Sequence, residues 1–156
     1  MNAGRGVLCA ILLLAHGQYA IAADTAPTTA RPTTQAAMNE LVAAIAAQDT
    51  GRVLACFSKK GGWFLTTTAE GQRNRTRYTY VLLQQGLQEG GDFHDVLLGG
   101  SADDSLRDYI ESTHGRAWKL KGRNTFVPPD DTDNVYVRWR REDGQYVVEE
   151  IAFPGA

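Results

Sequence analysis

The chain has 156 residues, 16 Lys and Arg against 18 Asp and Glu, and a formal net charge of -2 at pH 7. That length favours one domain with a core of its own. The mild acidity argues against nonspecific nucleic-acid binding, and 2 cysteines cannot make a disulfide framework.

Residues 1–22 have the order of regions of a cleavable secretory leader. Arg5 gives a positive start, VLCAILLLA over 7–15 is apolar but too short to span a bilayer, and Ala20-Ile21-Ala22 offers small residues for cleavage. The expected location is therefore exported, in a periplasm or outside the cell, with no stable membrane insertion after leader cleavage. Loss of Arg5 takes the 16 basic residues to 15 against 18 acidic ones, so the net charge moves from -2 to -3. Cys56 then stays as a lone thiol within VLACF, a setting that suits a buried small hydrophobe better than a nucleophile. Residues 23–35 are rich in Thr, Pro and Ala without an apolar period and predict a flexible lead-in. A single α+β domain is expected over 36–156.

Met38, Leu41, Val42 and Ile45 recur at i, i+3, i+4 and i+7, which predicts a helix. Asp49 or Thr50 can cap a second, short helix carrying Val53, Leu54 and Phe57. After Gly61-Gly62, Trp63–Thr68 has strand composition. Residues 69–77 are polar, and Arg73, Arg75 and Arg77 alternate. If extended, they form a basic stripe for an acidic partner or a phosphate-bearing surface, or a solvated edge that blocks aggregation. Tyr78–Gln88 predicts a helix through Tyr80, Leu83 and Leu87, and Phe93–Leu98 a short strand. Ser101 looks like the cap of a helix holding Leu106, Tyr109 and Ile110, which ends near His114 and Gly115. Trp118–Val127 predicts one strand bent at Gly122, followed by a loop over Pro128-Pro129 and DDTDN.

Asp143-Gly144 predicts a two-residue hairpin turn. The register that follows sets Trp139 opposite Val148, Val137 opposite Glu150 and Arg138 opposite Glu149. Glu150 would then share a face with Val135, Val137 and Trp139. An acid on an apolar face tends to a raised pKa and could serve as a general acid or base, or it could be a structural ion pair. A three-residue loop would reverse the faces.

Two stretches, AAIAAQDTGRVLACFSKKGGWFL and VYVRWRREDGQYVVEEIAFP, resemble the opening and the last two strands of the nuclear transport factor 2-like superfamily. The resemblance implies N-terminal helices packed on a curved antiparallel β-sheet, cone-like, with a pocket inside. Family members include isomerases, dehydratases and cyclases, and also proteins that only bind, so the fold does not fix the chemistry. Enzymes of the family place Asp, His or Tyr inside the cone. The candidates here are Asp92, His94 and Asp95, of which Asp92 and His94 would share one face of a strand and Asp95 the other, or they are solvated polar residues at a strand entry.

The main expectation is a noncatalytic binding module. Trp139 and Trp118 would line a pocket for a small apolar ligand, or Arg73, Arg75 and Arg77 would meet a protein partner. One alternative is a cofactor-free isomerase or hydrolase using Glu150, His94 and Asp92. The other is an envelope interaction, inhibitor or immunity protein acting through the arginine stripe. No metal, cofactor or nucleic acid is expected. The two histidines beyond the leader have no Cys/His cluster around them, and DDTDN lacks the Gly and Glu of a calcium loop.

Overall fold

Thr33 starts the first helix: its hydroxyl accepts from the Ala36 amide at 3.1 Å and caps α1, Thr34–Ala46. In this computed structural model the described residues are 33–99, 105–130 and 134–154. The expected leader, most of the expected lead-in, the proposed Ser101 cap and the centre of DDTDN lie outside them. The helix begins inside the segment expected to be a lead-in. It buries Met38, Leu41, Ala44 and Ile45, the face its spacing predicted with Ala44 in place of a half-buried Val42. Asp49 caps α2, Thr50–Ala55, by accepting from the Arg52 amide at 3.0 Å.

β1, Trp63–Ala69, then folds back on β2, Gln72–Tyr78. The turn between them uses Glu70 at φ 50° and Gly71 at φ 75°, the left-handed pair that a two-residue hairpin requires. The polar 69–77 segment thus comprises the end of β1, the turn and most of β2, which is an edge strand. Thr79 caps α3, Tyr80–Gly86, which buries Leu83.

Asp92–Leu98 is a helix, α4, and not the strand expected there. Phe93, Val96 and Leu97 stand at i, i+3 and i+4, and seven residues between Gly91 and Gly99 were too few for that period to outweigh strand composition. α5, Leu106–Ser112, is capped at Ser105 in a reciprocal box with Asp108. The single bent strand expected over 118–127 is instead two short strands, β3 at Lys119–Leu120 and β4 at Thr125–Val127, paired antiparallel. Gly122 at φ 74° and Asn124 at φ 58° let the chain reverse between them.

β5, Tyr136–Glu142, and β6, Gln145–Pro154, close the chain around the expected Asp143-Gly144 turn. Among the described residues the strands form one six-stranded sheet in the order β2-β1-β6-β5-β4-β3. The sheet is mixed and not antiparallel throughout, because β1 runs parallel to β6. The fold class is α+β, and the sheet is not a closed barrel.

One face of the sheet meets the helices. Trp139, Val137, Val148, Ile151 and Phe153 share a core with Met38, Leu41, Leu83, Phe93 and Leu97. Trp63 anchors it with its ring centroid 5.1 Å from Phe57, 5.3 Å from Phe93 and 5.5 Å from Tyr78. Each helix of the described residues contributes to this core, and the arginines stand on the other face of the sheet.

Candidate functional site

The expected register holds from Glu142↔Gln145 to Trp139↔Val148 and then fails. A β-bulge lies between Arg138 and Trp139, so Arg138 pairs with Glu150, Val137 with Ile151 and Tyr136 with Ala152. The extra residue, Glu149, shifts β6 by one and turns Glu150 away from Trp139 onto the opposite face. The expectation that Glu150 shares the Trp139 face is therefore corrected. Just before the bulge, the Val148 amide donates to the Cys56 carbonyl at 2.9 Å and ties β6 to the end of α2.

On its new face Glu150 meets the alternate residues of three neighbouring strands. Oε1 accepts from the Thr66 hydroxyl at 2.7 Å and the Tyr136 hydroxyl at 2.7 Å, with Arg73 at 3.5 Å. Oε2 accepts from Arg138 at 3.0 Å and Arg75 at 3.3 Å. Arg73 also donates to the Tyr136 hydroxyl. The Arg75 guanidinium lies 3.5 Å from the centre of the Phe64 ring, and Arg138 lies 5.3 Å from that of Tyr136.

The carboxylate side chain is 1% exposed, whereas Arg73, Arg75 and Arg138 are 56%, 44% and 39% exposed. One buried anion thus sits under three cations whose outer edges face water, an excess of two positive charges. Farther along the face, Arg140 is held by Glu142 at 3.0 Å and by the Gly62 carbonyl at 2.8 Å.

Burial alone would raise the Glu150 pKa. Hydrogen bonds from Thr66, Tyr136 and Arg75, with the Arg138 charge, outweigh it and hold the carboxyl below its ordinary value. The raised pKa expected of a general acid is corrected accordingly. Burial, and then the hydrogen bond to Glu150, push the Tyr136 hydroxyl the other way, so it remains a donor.

The other expected acid–base residues are elsewhere. Asp92 and His94 lie on α4, where an i, i+2 pair points in different directions, so they do not share the face that a strand would have given them. The His94 ring stands 3.4 Å from Asp95, not Asp92. α4 packs its Phe93, Leu97 and Leu98 into the helical side of the sheet, and Glu150 is on the other side. The structure does not bring Glu150 together with His94 and Asp92.

Trp118 is buried and lines a groove of about 530 Å³ between α1 and α5, with Met38, Val42, Ala46 and Ile110. Trp139 sits in the core and does not reach that groove. Burial pushes the Cys56 thiol up to about 11, which keeps it protonated. Among the described residues no group of three or more His, Cys, Asp or Glu could hold a metal ion, and no helix is long and apolar enough to cross a membrane.

Thr66, Phe64, Tyr136 and Arg138 complete the cluster, and sequence reasoning did not assign them to it. A signal for them was present. The apolar positions of β6 facing the helices fall at 148, 151 and 153, and the gap of three breaks the period of two where the bulge lies.

No family model matches the chain, and neither a curated protein nor a solved structure matches it with significance.

Proposed function

We propose that the protein is a noncatalytic binding module of an exported compartment, periplasmic or extracellular, and that the arginine face of its sheet takes an acidic protein partner. The observation that carries this is the single buried Glu150 that fixes Arg73, Arg75 and Arg138 in place. Guanidiniums held in this way lose little freedom when a partner carboxylate arrives, and each keeps unused N–H donors. An ionised, fully hydrogen-bonded Glu150 suits that scaffold role better than a proton-transfer role.

The element order is in keeping with the nuclear transport factor 2-like outline. Two capped helices lead into a strand after a glycine turn, and a long hairpin supplies the two central strands of the sheet. Membership of that superfamily, and a cone-like curvature of the sheet, belong to the same proposal. An inhibitor or immunity role is the version in which the acidic partner is an envelope enzyme or toxin.

The test is fluorescence anisotropy with a labelled poly-glutamate peptide at low salt, against a neutral peptide of equal length. The expected result is saturable binding that falls steeply with salt and weakens about tenfold or more in the Arg73→Gln/Arg75→Gln variant. Binding unchanged in that variant, with its fold verified by circular dichroism, would remove the proposal.

A second reading has its own observation, the apolar α1–α5 groove beside Trp118. Its volume suits a small apolar ligand. Such a ligand would change tryptophan emission on titration, and Trp118→Phe would abolish the change while leaving Trp139 emission in place.

A further inference from the structure

A second basic feature lies where the arginine stripe runs into the turn before β1. We propose that the cleft between this turn and the start of α3 is a binding site for the phosphate group of a soluble phosphate monoester. The cleft has a volume of about 430 Å³, and Lys59, Lys60 and Arg77 line it with no carboxylate beside them among the described residues. The neighbouring arginines 73, 75, 138 and 140 all engage a glutamate. Arg77 does not: its backbone pairs with Phe64 in the sheet, but among the described residues its guanidinium has neither an ionic nor a hydrogen-bonded partner, and neither has the Lys59 ammonium. Lys60 reaches Asp143 at 2.5 Å, but both side chains are mostly in water, where such a pair holds weakly and can exchange for a stronger anion.

The frame around these cations is fixed. Ser58 Oγ accepts from the amides of Lys60 at 3.1 Å and Gly61 at 2.8 Å and donates to Glu142. Arg140 braces the Gly62 carbonyl. Gly62 is buried, and a Cβ there would fall 2.7 Å from both Arg77 Nε and the Tyr78 carbonyl. The missing side chain is what allows Arg77 to lie across the turn and edge the cleft.

A phosphate monoester dianion matches two or three cations better than a single carboxylate does, and a guanidinium fork beside ammonium groups is the donor set that recognises it. Tyr78, Thr79, Tyr80 and the exposed Val81 line the side of the cleft toward α3, where the ester's organic group would rest. This site uses Lys59 and Arg77 and does not depend on the Glu150 cluster, so the acidic-partner proposal can fail without it.

The test uses the full chain and phenyl phosphate, followed by amide NMR shifts. Saturable shifts centred on Gly61 and Gly62 are expected, weakened about tenfold in Lys59→Gln/Arg77→Gln. A charge-matched control, Arg123→Gln/Arg141→Gln, removes two exposed cations outside the cleft and should leave the affinity unchanged. Equal loss in both variants would show diffuse attraction and overturn the site. So would the absence of saturable shifts, or binding to phosphatidylglycerol vesicles without binding to phenyl phosphate, which would mark a membrane-facing patch instead.

Discussion

Arg138 and Glu150 face each other across β5 and β6, with Nη1 3.0 Å from Oε2, because one extra residue bulges from β6 between Val148 and Glu150. The pair is the centre of a cluster in which five side chains donate to one carboxylate. Replacing Glu150 by Gln keeps the shape but removes the charge. Three guanidiniums would then repel one another, and Thr66 and Tyr136 would meet a weaker acceptor. Glu150→Gln should lower unfolding stability by about 2–3 kcal/mol, less than a fully buried pair would lose, since the arginines are partly in water. Urea unfolding measures this. A change below about 0.5 kcal/mol would mean that the cluster contributes little to the fold.

The same carboxylate sets a pH dependence. Its folded pKa lies below its ordinary value of 4.5, so on acidification the unfolded chain takes up the proton first. The stabilisation from Glu150 is complete above that ordinary value and is lost as pH falls through the folded value. The difference in unfolding free energy between wild type and Glu150→Gln should thus stay constant from about pH 7 to about pH 5.5 and shrink below about pH 4.5. Glu142 and Asp108 also have lowered values, but they titrate in both proteins and cancel in the difference. A difference that instead shrank as pH rose would reverse the assigned direction.

How much of this was legible beforehand depends on the length scale of each signal. The α1 face, the Asp49 cap and the Asp143-Gly144 turn all rest on residues within a few positions of one another, and each appears as expected, save that Ala44 is buried on α1 in place of Val42. The bulge at Glu149 depends on how β6 packs across both β5 and the helices, and a count outward from the turn cannot see it. One skipped residue was enough to move Glu150 from the apolar face to the arginine face. The helix at α4 has a related cause. Seven residues between glycines suit a short strand as well as a two-turn helix, and packing of Phe93 against Trp63 and Tyr78 decides between them. The Arg73, Arg75 and Arg77 alternation was visible, but not that two of the three would share Glu150 while the third would not.

Cys56 gives a direct view of opening. Burial pushes its thiol to about 11, and its Sγ lies 3.5 Å from the Arg52 carbonyl, so the thiolate is nearly absent at neutral pH. Alkylation by iodoacetamide should be negligible in the native protein and should rise in step with the unfolded fraction across a urea titration. Fast labelling without denaturant would show that the α2 end opens locally, which would loosen the Val148–Cys56 link beside the bulge.

The closing turn offers the last test. Asp143 at φ 48° and Gly144 at φ 84° both occupy the left-handed region, and nothing lies within 4 Å of a Cβ built on Gly144. Steric crowding is thus absent, and only backbone strain opposes a side chain there. Gly144→Ala should cost about 1 kcal/mol, while Gly144→Asn, whose side chain tolerates this conformation, should cost about half as much. The turn also anchors the register from Glu142↔Gln145 up to the bulge. If Gly144→Ala instead shifted the β6 amide resonances beyond Glu149, the turn would be setting the phase of Glu150. If the shifts stop at Val148, the bulge holds that phase by its own packing against α2, which is the outcome expected from the Val148–Cys56 bond.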